Sequence, residues 1–346
     1  MPTMPRRGAA VLRNASLAAL AALLWLAAAA AYGRALEIHR IVLAVSDLDR
    51  SVAFYESALG FRKVDEALAP GAELDPAGAT PGLRVPRATL RLGDEAIELE
   101  QHVAPAGVRL SSDTRAQDLW FQHFAIVVRD MDAAYTQLAR QPIPIQAISS
   151  APQTLPESNV AAAGIRAYKF KDPDGHPLEL LYFPPGKGNP KWQRGADALF
   201  LGIDHSAITV ADTARSVRFW GDLVGLVVAG GSLNSGPTQE HLDGATGAVV
   251  RVTGLRPQRA RGPGLEFLQY LAPSDGRPAA AGAAPGDIAQ VHVVLEVDDL
   301  DCLVERLPRS SAHPTRPRPV RVGGTPFALG VMVTDPDGHA ALLVQR

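Results

Sequence analysis

His205-Ser-Ala-Ile-Thr-Val-Ala-Asp212 is a short apolar run closed by an aspartate, and three other stretches of the chain have the same form. They are Arg40-Ile-Val-Leu-Ala-Val-Ser-Asp47, His123-Phe-Ala-Ile-Val-Val-Arg-Asp130 and His292-Val-Val-Leu-Glu-Val-Asp-Asp299. In each, the aspartate falls seven positions after the first residue, and the starts lie 83, 82 and 87 residues apart. Runs this rich in β-branched residues predict strands. Recurrence at so regular a period predicts a fourfold repeat.

Each aspartate stands where its carboxylate can accept from the free N–H groups of a following helix. In the first copy Val52, Tyr55 and Leu59 recur at helical spacing, and Gly60 can take the left-handed turn that stops a helix. The third copy repeats this with Val217, Trp220, Leu223 and Gly225. About three further strands follow in each unit. Two copies end in the same tight turn, Asp172-Pro-Asp-Gly-His176 and Asp335-Pro-Asp-Gly-His339, in which Pro presets one turn position and Gly supplies positive φ. Copies one and three share Ser-Val-x-Phe-aromatic, at Ser51 to Tyr55 and Ser216 to Trp220. The chain is therefore a doubled pair with a junction in the Pro- and Gly-rich stretch Pro184 to Gly195. The division expected is a leader (1–35), a first domain of modules one and two (36–184), a linker (185–198) and a second domain of modules three and four (199–346).

Composition sets the outer limits. The chain has 346 residues, 47% apolar and 20% charged, which is a globular composition of about two domains and excludes collagen, coiled coil and disorder. The formal charge is -2, and the first 35 residues carry Arg6, Arg7, Arg13 and Arg34 with no acid, so the remainder is more acidic still. It lacks the cationic excess that nucleic acids attract, and no nucleic-acid partner is expected.

Arg6, Arg7 and Arg13 precede an uncharged Ala- and Leu-rich run from Ala15 to Tyr32. That polarity order is expected of a secretory signal peptide, with a membrane tether through residues 15–32 as the alternative, because the run is close to the shortest spanning helix. Gly8, Ala9 and Ala10 fit a twin-arginine signal poorly. The expected location is periplasmic or secreted. Cys302 is the single cysteine, so no internal disulfide can form, and its helical setting predicts a buried, inert thiol.

Val45 to Phe61, with its strand, Asp, Ser-x-x-Phe-Tyr and Leu-Gly-Phe, resembles the vicinal oxygen chelate superfamily of glyoxalases, bleomycin-resistance proteins and extradiol dioxygenases, as does the turn leading into His176-Pro-Leu-Glu179. The resemblance runs from Ile38 to Val344. It implies an α+β fold of four βαβββ modules that pair into two curled sheets, each around a cavity. It also implies, in metal-binding members, one ligand at the start of a module's first strand and another on its last. Those positions hold Arg40, His123, His205 and His292, and Glu98, Glu179, Glu266 and Leu342. Imidazoles and carboxylates suit a divalent transition metal such as Zn, Ni, Co, Mn or Fe.

Two pairings are open. Modules one with two and three with four would give three-ligand sites, Glu98, His123 and Glu179, and His205, Glu266 and His292. Modules two with three and one with four would give one complete site, His123, Glu179, His205 and Glu266, and one remnant. Having both losses in one pair favours the complete site. His39 lies one residue out of register and so on the other face. Arg40 is expected in a salt bridge, and His102, His176, His313 and His339 in turns or at the surface. His241, Gln239 and Asn234 are candidates to line the third module's cavity, with a surface position the commoner fate.

The resemblance implies a lyase, isomerase or epimerase that acts on a small-molecule substrate with vicinal oxygens. The metal would stabilise an enediolate, and Glu179 or Glu266 would act as general base. An exported chain argues against glutathione adducts as substrates. A second possibility is an Fe(II) extradiol-type dioxygenase on His205, His292 and Glu266, which Leu342 disfavours. A third is a non-catalytic sequestering protein of the bleomycin-resistance kind. Nothing in the loops Ala67 to Val85 and Gly230 to Gly247 names the substrate.

Overall fold

The computed structural model describes residues 34–70, 84–102, 109–143, 145–194, 197–259, 261–279, 287–289, 291–307 and 317–346. Residues 1–33 of the leader, the inner part of the 67–85 loop and His313 lie outside the described residues, whereas Ala35, expected to end the leader, opens the first strand. Among those residues, no helix is long and apolar enough to cross a membrane.

All four repeats fold as modules. Module one is β1 (Ala35–Ala44), α1 (Leu48–Leu59), β2 (Arg62–Pro70), β3 (Arg84–Leu92) and β4 (Glu95–Glu100). Module two is β5 (Gln122–Val128), α2 (Met131–Ala139), the two-residue β6 (Gln146–Ala147) and β7 (Gln153–Thr154), β8 (Arg166–Lys171) and β9 (Pro177–Tyr182). Module three is β10 (Phe200–Thr209), α3 (Thr213–Val217), β11 (Val227–Ser235), α4 (Pro237–Asp243), β12 (Val249–Arg256) and β13 (Gly264–Ala272). Module four is β14 (Val291–Val297), α5 (Leu300–Arg306), β15 (Arg318–Val322), β16 (Thr325–Thr334) and β17 (Ala340–Gln345). The helix of module three widens into a π-type stretch over Arg218–Leu223, and among the described residues α4 has no counterpart in the other modules.

The four repeated aspartates all cap their helices. Asp47, Asp130, Asp212 and Asp299 accept from the N–H of Arg50, Ala133, Arg215 and Cys302 at 2.8–3.0 Å. Each cap stabilises its helix by about 1 kcal/mol. Gly60 closes α1 at φ 70°, a conformation costly for a residue with Cβ.

Of the two module pairings left open by the sequence, the strands take the exchanged one, which gives a complete ligand set. One sheet runs β15-β16-β17-β14-β1-β4-β3-β2 and the other β11-β12-β13-β10-β5-β9-β8-β6. The first joins module one to module four, and the second joins module two to module three. Each sheet therefore draws on both stretches, 36–184 and 199–346. At the centre of each sheet, two first strands lie antiparallel, β1 with β14 and β10 with β5, and each is flanked by the parallel last strand of its own module. The two halves of the chain thus exchange strands.

Residues alternate between faces. From the second sheet Phe124, Ile126 and Val128 point to the main core, and from the first sheet Val293, Leu295 and Val297 do the same. Phe54, Tyr55, Phe219 and Trp220 of the helices pack into that one cluster, so the core lies on the helix-covered faces. Burying such side chains stabilises the fold by about 1.5–3 kcal/mol apiece.

The shared Asp-Pro-Asp-Gly-His turns bind each module to its sequence neighbour. Asp172 accepts from the N–H groups of Asp174 and His176, from His176 Nδ1 and from the Tyr55 hydroxyl at 2.8–2.9 Å. Asp174 accepts from Ser46 N at 3.0 Å and pairs with Arg50. Asp335 accepts from Trp220 Nε1 at 3.0 Å, and Asp337 pairs with Arg215. The turn histidines are therefore buried, not at the surface. His176 is 1% exposed, with Nε2 at 2.7 Å from the Ile288 carbonyl, because the turn aspartate and that carbonyl satisfy both ring nitrogens.

Candidate metal centre

The second sheet brings the four expected residues onto one face of four adjacent strands. His123 is on β5, Glu179 on β9, His205 on β10 and Glu266 on β13. Alternation along β5 sends Phe124 to the core and His123 to the opposite, hollow face. Between Ile203 and His205 the pairing of β10 with β5 slips by one residue. Such a bulge re-aims the side chain that follows it.

The ligand atoms of His123, Glu179 and His205 all lie within 4.8 Å of one another. Glu179 Oε2 is 3.4 Å from His123 Nε2 and 3.8 Å from His205 Nε2, and Glu266 Oε2 is 3.4 Å from His205 Nε2. The two imidazoles meet edge to face at 5.9 Å. His123 Nδ1, His123 Nε2 and His205 Nε2 are all buried without a hydrogen-bond partner. A buried ring nitrogen left unpaired costs about 1–3 kcal/mol. Two imidazoles that converge on a carboxylate at these spacings, in place of hydrogen bonds, fit a divalent cation.

Charge within the hollow is unevenly distributed. Burial drives the His123 imidazole down to about 4, helped by Lys169 and His205 and opposed by Glu179. Burial also opposes charge on His205, but Glu266, Asp204 and Glu179 outweigh it and raise the ring to about 9. Burial would raise Glu179, yet His123, Lys169 and His205 hold it at about 2. Glu266 is pushed up by its own burial and by the negative charge of Glu179 and Asp204, against the pull of His205.

Supporting residues surround this set, and sequence reasoning passed over them. Asp204 Oδ2 lies 3.0 Å from His205 Nδ1, which orients the ring with Nε2 toward the hollow. Asp204 is held in turn by Trp192 Nε1 at 3.0 Å, from the stretch expected to be a plain linker, and by Arg256 at 3.3 Å. Lys169 is buried directly across the strands from Glu179 and pairs with Asp243 of α4 at 2.7 Å. Asp243 also accepts from the Tyr270 hydroxyl at 2.7 Å and from Gln239 Nε2 at 2.6 Å. A lysine inside a strand has no local signature for such a place. The adjacency Asp204-His205 is the one signal that was present.

Glu98 and His292 do not join this group, because both belong to the first sheet. There Arg40 takes the position of His205, its Nη1 2.7 Å from Glu98 Oε2, while Arg87 reaches the other carboxylate oxygen at 3.4 Å. The expected salt bridge is thus found. Leu342 packs with Val42, Val294, Val320, Val322 and Phe327, so hydrocarbon fills this hollow. His39 turns to Glu296 at 2.7 Å. The three-ligand sets Glu98, His123 and Glu179, and His205, Glu266 and His292, do not form. The His205, His292 and Glu266 oxygenase set is the second of these and falls with it.

Of the lesser candidates, Gln239 is buried and Asn234 half-buried beside a cavity, while His241 is exposed. His102 is nearly buried, 3.5 Å from Glu100, and Cys302 is half-buried on α5 instead of fully buried.

Two curled sheets of paired modules, one with clustered imidazole and carboxylate ligands in its hollow, define a glyoxalase-type metal-binding scaffold. The family model described as Glyoxalase/Bleomycin resistance protein/Dioxygenase superfamily matches residues 37–180, and that of a Glyoxalase-like domain matches residues 205–344. The chain belongs to the glyoxalase/bleomycin resistance protein/dioxygenase superfamily. It is 33% identical over 159 residues to a 2-epi-5-epi-valiolone epimerase from Actinomyces sp, across 44% of this chain and 82% of that relative. Glyoxalase I from Zea mays has the same fold at a TM-score of 0.58 and 17% identity, over 89% of this chain and 92% of the other. A variant of that enzyme gives 0.60 and 18%, over 89% and 93%. Together with the family, the buried His-Glu-His group suggests a divalent metal site.

Proposed function

We propose that the chain is a metal-dependent isomerase or epimerase that acts on a small molecule with two neighbouring oxygens. The observation that carries this is the convergence of two unpartnered buried imidazole nitrogens, His123 Nε2 and His205 Nε2, on Glu179. The likeness to the 2-epi-5-epi-valiolone epimerase supports the reaction class.

His123, Glu179 and His205 would hold the ion, with Glu266 at its edge. The ion would act as a Lewis acid that acidifies a C–H next to a substrate carbonyl. Glu179, held far below the usual carboxylate range, serves better as ligand than as base. Glu266 is shifted upward, and its side chain is a quarter exposed, so it can reach a bound substrate and take the proton. Delivery of a proton from solvent water to the opposite face of the carbon, with Glu266 passing the abstracted proton to solvent, would invert the centre. Asp204 keeps His205 in the tautomer that offers Nε2.

The test is elemental analysis of chelator-free protein, followed by proton exchange of 2-epi-5-epi-valiolone in deuterated water. About one divalent ion per chain is expected, with retention abolished in H123A/H205A. E266Q should keep the ion and lose about 100-fold or more of the exchange. Full metal occupancy in the double variant overturns the site. Iron with oxygen uptake on catechols would favour the dioxygenase, and absence of any bound ion the sequestering protein. Export or tethering by the leader remains part of this proposal and is checked by cell fractionation.

A further inference from the structure

Against helix α4, where it meets the 155–159 loop, lies a second hollow of about 200 Å3 with a different chemistry. Its polar lining is Ser158 and Asn159 from module two, with Asn234, Ser235, Thr238 and Gln239 from module three, and none of the lining residues is charged. Leu155 and Leu233 supply apolar wall. Pockets for larger ligands run to about 300–1,000 Å3, so this one suits a single ring or a short chain.

Gln239 is the informative residue. It is 4% exposed, and its Nε2 donates to Asp243, which fixes the amide orientation because a carboxylate only accepts. Its Oε1 is thereby committed to the other direction, and it is buried with no donor. Asn234 Oδ1 accepts from Asn159 Nδ2 at 2.6 Å and from Ser232 Oγ at 2.8 Å, which turns its amide N–H groups over to a ligand. An orphan acceptor, amide donors and hydroxyls together match groups that both donate and accept. That describes alcohols. A carboxylate or phosphate would leave Gln239 Oε1 facing another acceptor and would find no cation in the lining.

We propose that this hollow recognises an uncharged, polyhydroxylated ring, the non-reacting part of a cyclitol- or sugar-like substrate. The proposal deepens the isomerase reading and rests on it for the claim that the ligand is the substrate. Two polar contacts and one cross-strand pairing connect the two places. Gln239 reaches Asp243, Asp243 pairs with Lys169, and Lys169 stands across the strands from Glu179. The same chemistry argues against glutathione adducts, whose carboxylates would need cationic partners here.

The test is calorimetric titration of the full-length protein with 2-epi-5-epi-valiolone as the uncharged probe and S-methylglutathione as the charged one. Four proteins are compared: wild type, H123A/H205A and two hollow variants, N159A/N234A and Q239L. N159A/N234A leaves the Asp243 contacts in place. The cyclitol should bind wild type, and H123A/H205A should keep that binding to within tenfold. N159A/N234A and Q239L should each weaken it at least tenfold while metal content is unchanged. Equal binding by wild type and both hollow variants, or preference for S-methylglutathione, overturns the proposal. If binding remains sensitive to N159A/N234A but no proton exchange occurs, the isomerase reading falls and the polyol site stands. If exchange proceeds with KM unchanged in both hollow variants, the isomerase stands and the polyol site falls.

Discussion

Loading the metal centre should release close to one proton per ion, and the apparent affinity should follow. In the metal-free protein His123, at about 4, and Glu179, at about 2, are already deprotonated at neutral pH. His205, at about 9, is almost wholly protonated there, and it must lose that proton before Nε2 can coordinate. One obligatory proton gives a tenfold gain in affinity per pH unit below 9. Between pH 6 and pH 8 the affinity for Zn2+ or Ni2+ should therefore rise about 100-fold, or about 2.7 kcal/mol. Competition with a chromophoric chelator at several pH values, corrected for the chelator's own protonation, measures the slope, and an indicator dye counts the protons. In D204N the ring loses the anionic acceptor on Nδ1, so the slope should flatten nearer neutrality and the affinity should fall about 10–100-fold. A slope near zero from pH 6 to 8 in wild type would refute the charge arrangement derived for this hollow. So would a slope that H205A leaves intact.

The same two histidines bear on the stability of the metal-free protein. His205, raised when folded, contributes stability below its unfolded value of about 6.5 that is lost as pH rises through about 9. His123, depressed when folded, contributes stability above about 6.5 that is lost as pH falls toward about 4. Urea midpoints should peak between these flanks; a continued rise from pH 6.5 to 9 would contradict the His205 assignment, and a fall from pH 5 to 6.5 the His123 assignment. D243A strands the buried Lys169 ammonium and unpairs the Tyr270 hydroxyl, a loss of about 3–5 kcal/mol. The double variant K169M/D243L should recover most of it, and simple additivity in denaturant melts would show that the pair is not coupled. R40M leaves Glu98 buried with only Arg87 and the Thr89 hydroxyl, each at 3.4 Å, so about 1–3 kcal/mol of stability should go while metal stoichiometry stays unchanged. Loss of the ion in R40M would place a metal ligand in the wrong sheet.

Repetition made much of this protein readable in one dimension. Asp47, Asp130, Asp212 and Asp299 were recognisable as caps because capping is decided within one turn of helix. His123, His205, Glu179 and Glu266 stood out for a related reason: a side chain's place along a strand determines its face, and the repeats supply the register. The same logic marked Arg40 and Leu342 as losses, and one hollow is indeed closed by a salt bridge and hydrocarbon.

Which modules share a sheet depends on hydrogen bonds between β10 and β5 and between β1 and β14, strands about 80 and 250 residues apart. No local pattern distinguishes a neighbour's first strand from an exchanged one, since all four have the same apolar form. Lys169, Asp243 and Asp204 gain their meaning from that exchange and from the bulge in β10, which place a lysine of module two against an acid of module three. The chain by itself determined the modules, their caps and the candidate ligands, because each is set by residues close in sequence. Only the tertiary structure decided that the ligands of modules two and three meet in one hollow, because that depends on long-range strand register.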